Sequence, residues 1–438
     1  MSRNVDTDVS DVASCAPSER STTSTEEFEH EPFSAFKTKV NQLCESIWPR
    51  LLPGAFEVTH MEGGSYNRVI GVHVDVSLKR TSWLQYHAAR LFPIFYSRSA
   101  DEPKQIQEFV IRIPRYEHAW VDQEVALLLF LAATNVPAPK IEHFSLTLDN
   151  AIGSPFSVQV RVPGRSVGDV YLKLNTAQRI AFAADLGRAL RALSRISTPC
   201  PGTLDPDSIL HDPSAAPKIL RLQCPPRNAQ RRAPAEVATH SKPMSVYIFI
   251  KDQLAHQREY DLSLHRRYIN PWSKFNRIID CLNADGLFED NDYYLTHMDF
   301  EPRNILLHSI SNDTASLSGL LDWDESVFAP AFVSCRTPSW LWDFESDDEE
   351  ELDESIAHVD PRDAELLAVK QVFESAVGAK WLVYAYKTEY RLARDIVRMA
   401  ITGISSSEGY EVANRIVKEW NELRPTQAVD EIVPGDED

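Results

Sequence analysis

The stretch "YYLTHMDFEPRNILL", residues 293–307, sets polar side chains at fixed offsets between two apolar flanks. His297 is followed two residues on by Asp299, and Asp299 five residues on by Asn304. One or two Gly, Asn, Asp or Pro residues suffice for a turn, so this set asks for a chemical reason. A carboxylate held in such a turn can orient a hydroxyl and accept its proton. An amide oxygen just past it, with a second carboxylate on an adjacent strand, offers hard oxygen ligands of the kind Mg²⁺ takes. "LLDWDE" (320–325) supplies that carboxylate in Asp322, at the end of an expected strand able to pair with "NILL". The eighteen residues from Asn304 to Asp322 suit two short strands joined by "HSISNDTAS". A base, a metal-binding pair and nearby cations are the parts that phosphoryl transfer from a nucleotide needs.

The elements that must hold these groups follow from periodicity. "SAFKTKVNQLCESIWPRL" (34–51) repeats apolar residues at helical spacing. "FEVTHMEGGSYNRVIGVHVDV" (56–76) reads as two strands about a Gly-Gly turn, and "EFVIRIPR" (108–115) as a third strand stopped by Pro114. A helix is expected over about 118–134, then a strand in "FSVQVRVPG" (156–164). From 174 the pattern is mainly helical, over 174–196, 270–288, 364–401 and 409–423. Residues 199–245 read as a Pro-rich irregular insertion. The class expected is therefore α+β, strand-rich first and helical second.

Bulk properties narrow the rest. The 438 residues carry a formal charge of −19, which argues against a nucleic-acid partner. The six cysteines lie at 15, 44, 200, 224, 281 and 335 with no CxxC pair, giving no zinc signature and suiting a reducing compartment. No run is long enough to span a bilayer and the N-terminus lacks a signal-peptide core, so the expected location is cytoplasmic, with no membrane partner. Residues 1–32, rich in Ser, Thr, Asp and Glu, are expected to be a disordered tail, and 429–438 an acidic one.

The H-x-D-x-x-x-x-N motif of His297, Asp299 and Asn304, followed by the strand ending at Asp322, resembles the aminoglycoside phosphotransferase and choline kinase group, in a fungal-type member of unknown substrate. The resemblance implies a bilobal protein-kinase-like fold. A small strand-rich N-terminal nucleotide-binding lobe would span 33–160, and a larger mainly helical catalytic lobe 161–428. It implies Asp299 as base, Asn304 and Asp322 on Mg²⁺, ATP or GTP as phosphoryl donor, and a bracing role for His297. "MEGGSYNRVIGV" (61–72) resembles the family's nucleotide loop, which places Gly63, Gly64, Ser65 and Asn67 at the phosphates. Arg112 stands where the family carries a lysine, a departure that keeps the charge on a bulkier fork. Its expected acidic partner is Glu124, with Asp122 or Glu117 as substitutes.

Each residue also has a plainer reading. Asp299 can cap a turn, Asn304 can be a turn residue, and His297 a satisfied core histidine. Arg303 stands where the family usually has a small residue. A cation there could touch the transferring phosphate or an acidic substrate, but the expected reading is that it faces solvent, and Asp324 is a second candidate ligand. "FAPAF" (328–332) lacks the Ala-Pro-Glu anchor of protein kinases, which favours a small hydroxylated acceptor, cationic ones included, over a peptide. Trp340, Trp342 and Phe344 read first as core and second as an aromatic box for a quaternary amine. The acidic run 347–354 reads first as a solvated loop. The competing function is a pseudokinase-like nucleotide-binding or scaffold protein without turnover, motivated by Arg112.

Overall fold

The computed structural model describes residues 31–61, 63, 66–79, 105–116, 121–212, 214, 216–223, 239–263, 271–311, 313–343, 354–404 and 406–432. Of the expected tail over 1–32, residues 1–30 lie outside them, and of the expected acidic tail over 429–438, residues 433–438 do. Val429 and Ile432 are buried and so belong to the packed chain. The described residues pack as two compact units, those within 1–115 and 147–156 and those within 116–146 and 157–438. The expected boundary at 160 differs from this, since residues 116–146, with their helix, and 157–160 pack in the second unit.

In the first unit, helix α1 (Phe33–Ile47) precedes strands β1 (Phe56–His60), β2 (Asn67–Asp75) and β3 (Ile106–Pro114). The strands form an antiparallel ladder, with Phe56 opposite Val74 and Asn67 opposite Pro114. Alternation sets the register: Ile70, Val72 and Val74 on β2 and Phe109, Ile111 and Ile113 on β3 are buried. Phe36, Val40 and Leu43 of α1 are buried as well, and the Trp48 ring lies 5.1 Å from that of Phe109. Each such Val or Ile contributes about 1.5–3 kcal/mol on burial.

The second unit is mainly helical. Its elements run α2 (Val121–Leu131), β4 (Ile141–Ser145), β5 (Phe156–Val160), β6 (Arg165–Ser166), α3 (Val167–Val170), α4 (Thr176–Leu193), β7 (Ser197–Thr198), β8 (Thr203–Leu204), α5 (Pro206–Leu210), β9 (Ile219–Leu220), α6 (Val246–Ser263) and α7 (Trp272–Ala284). Strands β10 (Tyr293–Thr296), β11 (Ile305–Ser311), β12 (Thr314–Leu320) and β13 (Val327–Pro330) come next. Helices α8 (Ala364–Val377), α9 (Ala379–Tyr386), α10 (Thr388–Thr402) and α11 (Ser407–Leu423) close the chain. Strand order is β13-β10-β7 in one small sheet and β12-β11-β6 in another. The α+β class, strand-rich in one unit and helical in the other, is as expected.

Three local differences have physical causes. The run 364–401 is three helices, because Gly378 leaves α8 at φ 97° and Lys387 is extended before α10. Helix α6 escaped the periodicity reading because its buried face is partly polar: Gln253, Gln257 and Asp261 are buried beside Phe249 and Leu254. Asp261 accepts the Trp272 indole N–H at 2.7 Å, and Gln257 donates to the Ala400 carbonyl at 3.2 Å. Part of 199–245 is ordered, since β8 pairs with β9 around α5, while residues 224–238 lie outside the described chain.

Candidate active site

Buried flanks fix the loop 297–304. Tyr293 and Leu295 of β10 precede it, Ile305 and Leu307 of β11 follow it, and all four are almost fully enclosed. Pro302 opens a single 3₁₀ turn through Asn304, where its missing N–H costs nothing. The loop is closed by its own backbone: Glu301 N–H donates to the Asp299 carbonyl (3.1 Å) and Asn304 N–H to the Glu301 carbonyl (2.9 Å).

The side chains converge on Asp299. Asn304 Nδ2 donates to the Asp299 carbonyl (3.0 Å) and to its Oδ2 (2.8 Å). The amide nitrogen is thereby turned to Asp299, which leaves the Asn304 oxygen as an acceptor. Arg303 Nη2 donates to Asp299 Oδ1 at 2.5 Å. Arg303 faces solvent as expected, and its exposed head also rests on the aspartate.

Asp322 reaches the same loop through Leu321. The Leu321 N–H donates to the Asn304 carbonyl (2.8 Å), and its carbonyl accepts from His297 Nε2 (2.7 Å). Strand β12 ends at Leu320, so Asp322 lies just past the strand and not on its last residue. It turns at φ 62°, the left-handed region, and is the one non-glycine residue there among the described residues. Such a conformation is uphill by roughly 1–3 kcal/mol and persists where the surroundings over-determine it. Here a bonded Leu321 precedes it and a buried Trp323 follows, whose indole N–H donates to the Leu320 carbonyl (2.8 Å).

The donor set suits Mg²⁺, which binds a few hard oxygens and keeps waters. Among the described residues no group of three or more His, Cys, Asp and Glu stands at metal-ligating positions. An Asn304 oxygen with an Asp322 carboxylate is a different set, and one that this ion accepts. Asp324 is exposed on the turn after Asp322.

The proposed nucleotide-contacting residues lie in both units. In the first, a Cβ on Gly63 would meet the Asn67 carbonyl oxygen at 2.6 Å, so only glycine fits where the chain doubles back. Arg112 sits on β3 opposite Val69. Gly64 and Ser65 lie outside the described residues, as do Glu117, Phe344 and residues 347–353 of the acidic run. In the second, Glu124 is buried, and its Oε1 accepts from Gln159 Nε2 at 2.9 Å. Trp340 and Trp342 are core: the first meets Tyr171 edge-on at 5.5 Å, the second packs on Phe373 at 5.8 Å.

Residues 96–358, more than half of the chain, match the family model described as "Phosphotransferase enzyme family". The chain belongs to that family. The phosphotransferase is also similar to solved structures. One is a candidate aminoglycoside phosphotransferase from Ralstonia eutropha, at 14% identity and TM-score 0.43 over 88% of this chain and 95% of the other. Another is the ADP-bound aminoglycoside phosphotransferase APH(2'')-Ib, at 14% identity and TM-score 0.41 over 89% of this chain and 99% of the other. Both scores are below 0.5, and the family assignment rests on the family match alone. A comparison with curated protein sequences gives no match. No helix among the described residues is long and apolar enough to cross a membrane.

Charges around the phosphotransferase loop include several that no motif announced. Glu325 has its carboxyl raised, first by partial burial and then by Asp299, Asp322 and Asp324, although it still meets solvent. Arg398 Nη2 donates to the Met298 carbonyl (2.7 Å), next to the aspartate. Arg336 bridges Glu301 (2.5 Å) and Glu354 (2.6 Å), and Glu354 in turn accepts from Arg394 (2.7 Å). These partners stand 18 to 100 residues apart in the chain, so spacing carries no trace of them.

His297 is held neutral. Burial lowers its pKa, outweighing the Leu321 carbonyl and the Asp299 and Asp322 charges that act the other way. A carbonyl partner at Nε2 puts the proton there, and Nδ1 is buried without a hydrogen bond. The unfolded chain therefore takes up a proton that the folded one refuses. The His297 contribution to stability is present above the ordinary histidine value of about 6.5 and is lost as pH falls below it. His297→Gln keeps an N–H donor for Leu321 without the titration. Urea midpoints at about pH 7.5 and 5.5 should differ less in this variant than in the wild type. Equal differences would deny the histidine that role.

Proposed function

We propose that the phosphotransferase moves the γ-phosphoryl group of ATP or GTP to a hydroxyl of a small molecule. Asp299 acts as base, and Asn304 and Asp322 hold the Mg²⁺ that offsets the charge of the phosphates. The observation that carries the reading is the Asn304 amide nitrogen donating to both the carbonyl and the carboxylate of Asp299. The two bonds hold the carboxylate and leave the Asn304 oxygen as the acceptor the proposed ion would use. The acceptor's O–H bond breaks with its proton going to Asp299, an O–P bond forms, and the bond to the β-phosphate oxygen breaks as the diphosphate leaves. Gly63, Gly64, Ser65, Asn67 and Arg112, with Glu124, carry the nucleotide part of the proposal, and Arg112→Ala tests it separately.

The acceptor class is set by the pocket and not by the family. Gentamicin and hygromycin B, bound by two of the similar structures, enter as cationic members of a wider hydroxyl library. A thermal shift with ATP or GTP comes first. At a hundredfold excess over Kd, binding adds about 2.7 kcal/mol and raises Tm by a few degrees, provided Mg²⁺ is present. Turnover across the library then decides the reaction. The presence of Arg112 in place of lysine favours one second reading, a nucleotide-binding scaffold. A Mg²⁺-dependent shift with neither transfer nor nucleotide hydrolysis would favour it, and no shift at all would sink both.

A further inference from the structure

We infer that Arg303 contacts the acceptor hydroxyl together with Asp299, the two forming a donor and acceptor pair on one oxygen. The inference rests on Asp299 being the base. Of that carboxylate's two oxygens, Oδ2 is taken by the buried Asn304 amide at 2.8 Å. The other, Oδ1, carries the solvent-exposed Arg303 Nη2 at 2.5 Å, and the aspartate side chain stays part exposed, within reach of an incoming hydroxyl. The Arg303 side chain is 66% exposed, so its head reaches the aspartate from the solvent side without being packed there. The nearest other acid of the loop, Glu301, is engaged by Arg336. Guanidinium carries five N–H donors in a fixed fork. Among the described residues only Asp299 takes a hydrogen bond from it.

A hydroxyl that donates to Asp299 Oδ1 turns its lone pairs toward those remaining donors. The proton passes to the carboxylate while the oxygen bonds to phosphorus, and the charge growing on that oxygen faces a fixed cation. Such placed donors act on the transition state more than on the bound ground state. Arg303 therefore belongs in kcat, and nucleotide affinity should not depend on it.

The test uses the full chain with Mg²⁺ and ATP, taking the best library hydroxyl and water as acceptors. Arg303→Ala should lower kcat about 10- to 100-fold. Tm and the Kd for a non-hydrolysable ATP analogue should remain as in the wild type. Arg303→Lys, or guanidinium chloride added to Arg303→Ala below its denaturing range, should recover part of the loss. Sodium chloride at equal ionic strength should not. The proposal is overturned by a kcat within about twofold of wild type, by a loss matched in analogue affinity or Tm, or by a loss that neither lysine nor guanidinium restores. Wild-type protein that neither transfers nor hydrolyses fails the phosphotransferase reading instead, a distinct result.

Discussion

Asp299→Asn is expected to cut kcat by about 10²–10⁴-fold while nucleotide affinity stays within about twofold of wild type. The substitution is chosen to separate chemistry from architecture. An asparagine at 299 keeps an oxygen for the Asn304 amide, now at 2.8 Å from Oδ2, and leaves the backbone bonds of the loop in place. What it removes is the capacity to take the acceptor's proton. Asp299→Ala removes the side-chain acceptor of Asn304 as well. It also strips the partner from Arg303, so its cost should match or exceed that of the asparagine. Initial rates with the best library acceptor, and calorimetric titration of a non-hydrolysable analogue, separate the two effects. Should Asp299→Asn retain turnover within about tenfold of wild type, the residue is no base, and the loop is a structural turn.

The sequence made the active loop legible because its parts are close in the chain. Asp299 and Asn304 stand on either side of one turn, and Asp322 follows from the length of a hairpin, so counting residues brings them together. Counting placed Asp322 on a strand, whereas the strand stops at Leu320 and the aspartate turns left-handed beyond it. Asp enters that conformation more readily than most residues, but its identity alone does not say which Asp will. The bonds of its neighbour Leu321 to Asn304 and His297 help impose it.

The strands were legible for a similar reason. Val72, Val74, Ile111 and Ile113 alternate because one face of β2 and β3 is buried. Helix α6 was not, because Gln253, Gln257 and Asp261 interrupt its apolar stripe with buried polar groups whose partners are remote. The contact of the solvent-facing Arg303 with Asp299 was missed for a different reason. A charged residue in a polar loop ordinarily points to water, and only the loop's curvature turns it onto Asp299. The arginines behind the loop were invisible, since Arg394 and Glu354 are 40 residues apart and neither lies in a motif.

Arg394 carries the second large expectation. It is fully enclosed, and its guanidinium donates to the Cys335 and Tyr384 carbonyls (3.0 and 3.2 Å) and to Glu354 (2.7 Å). Burial alone would raise the Glu354 carboxyl, but Arg394 and Arg336 together outweigh it and hold it below its ordinary value. Arg394→Met fills similar space yet leaves two carbonyls and a carboxylate short of a donor, and should cost about 3–5 kcal/mol in urea unfolding. Adding Glu354→Gln should cost less than the two single changes summed, since both share one interaction. Asp395, beside the same arginines, is pushed up to about 6, first by burial. A raised carboxyl favours the folded state at low pH, and that advantage is lost as pH rises from about 4 to 6. Removing Arg394 takes away a charge that favours ionised Asp395, so its pKa should rise further. The deficit of the variant should therefore be largest near neutral pH and shrink as Asp395 and Glu354 take up protons. A deficit independent of pH would mean that the lost carbonyl contacts, and not the charges, set the cost. Because Glu354 also binds Arg336, and Arg336 binds Glu301, the same change loosens the far end of a chain of charges that ends two residues from Asp299.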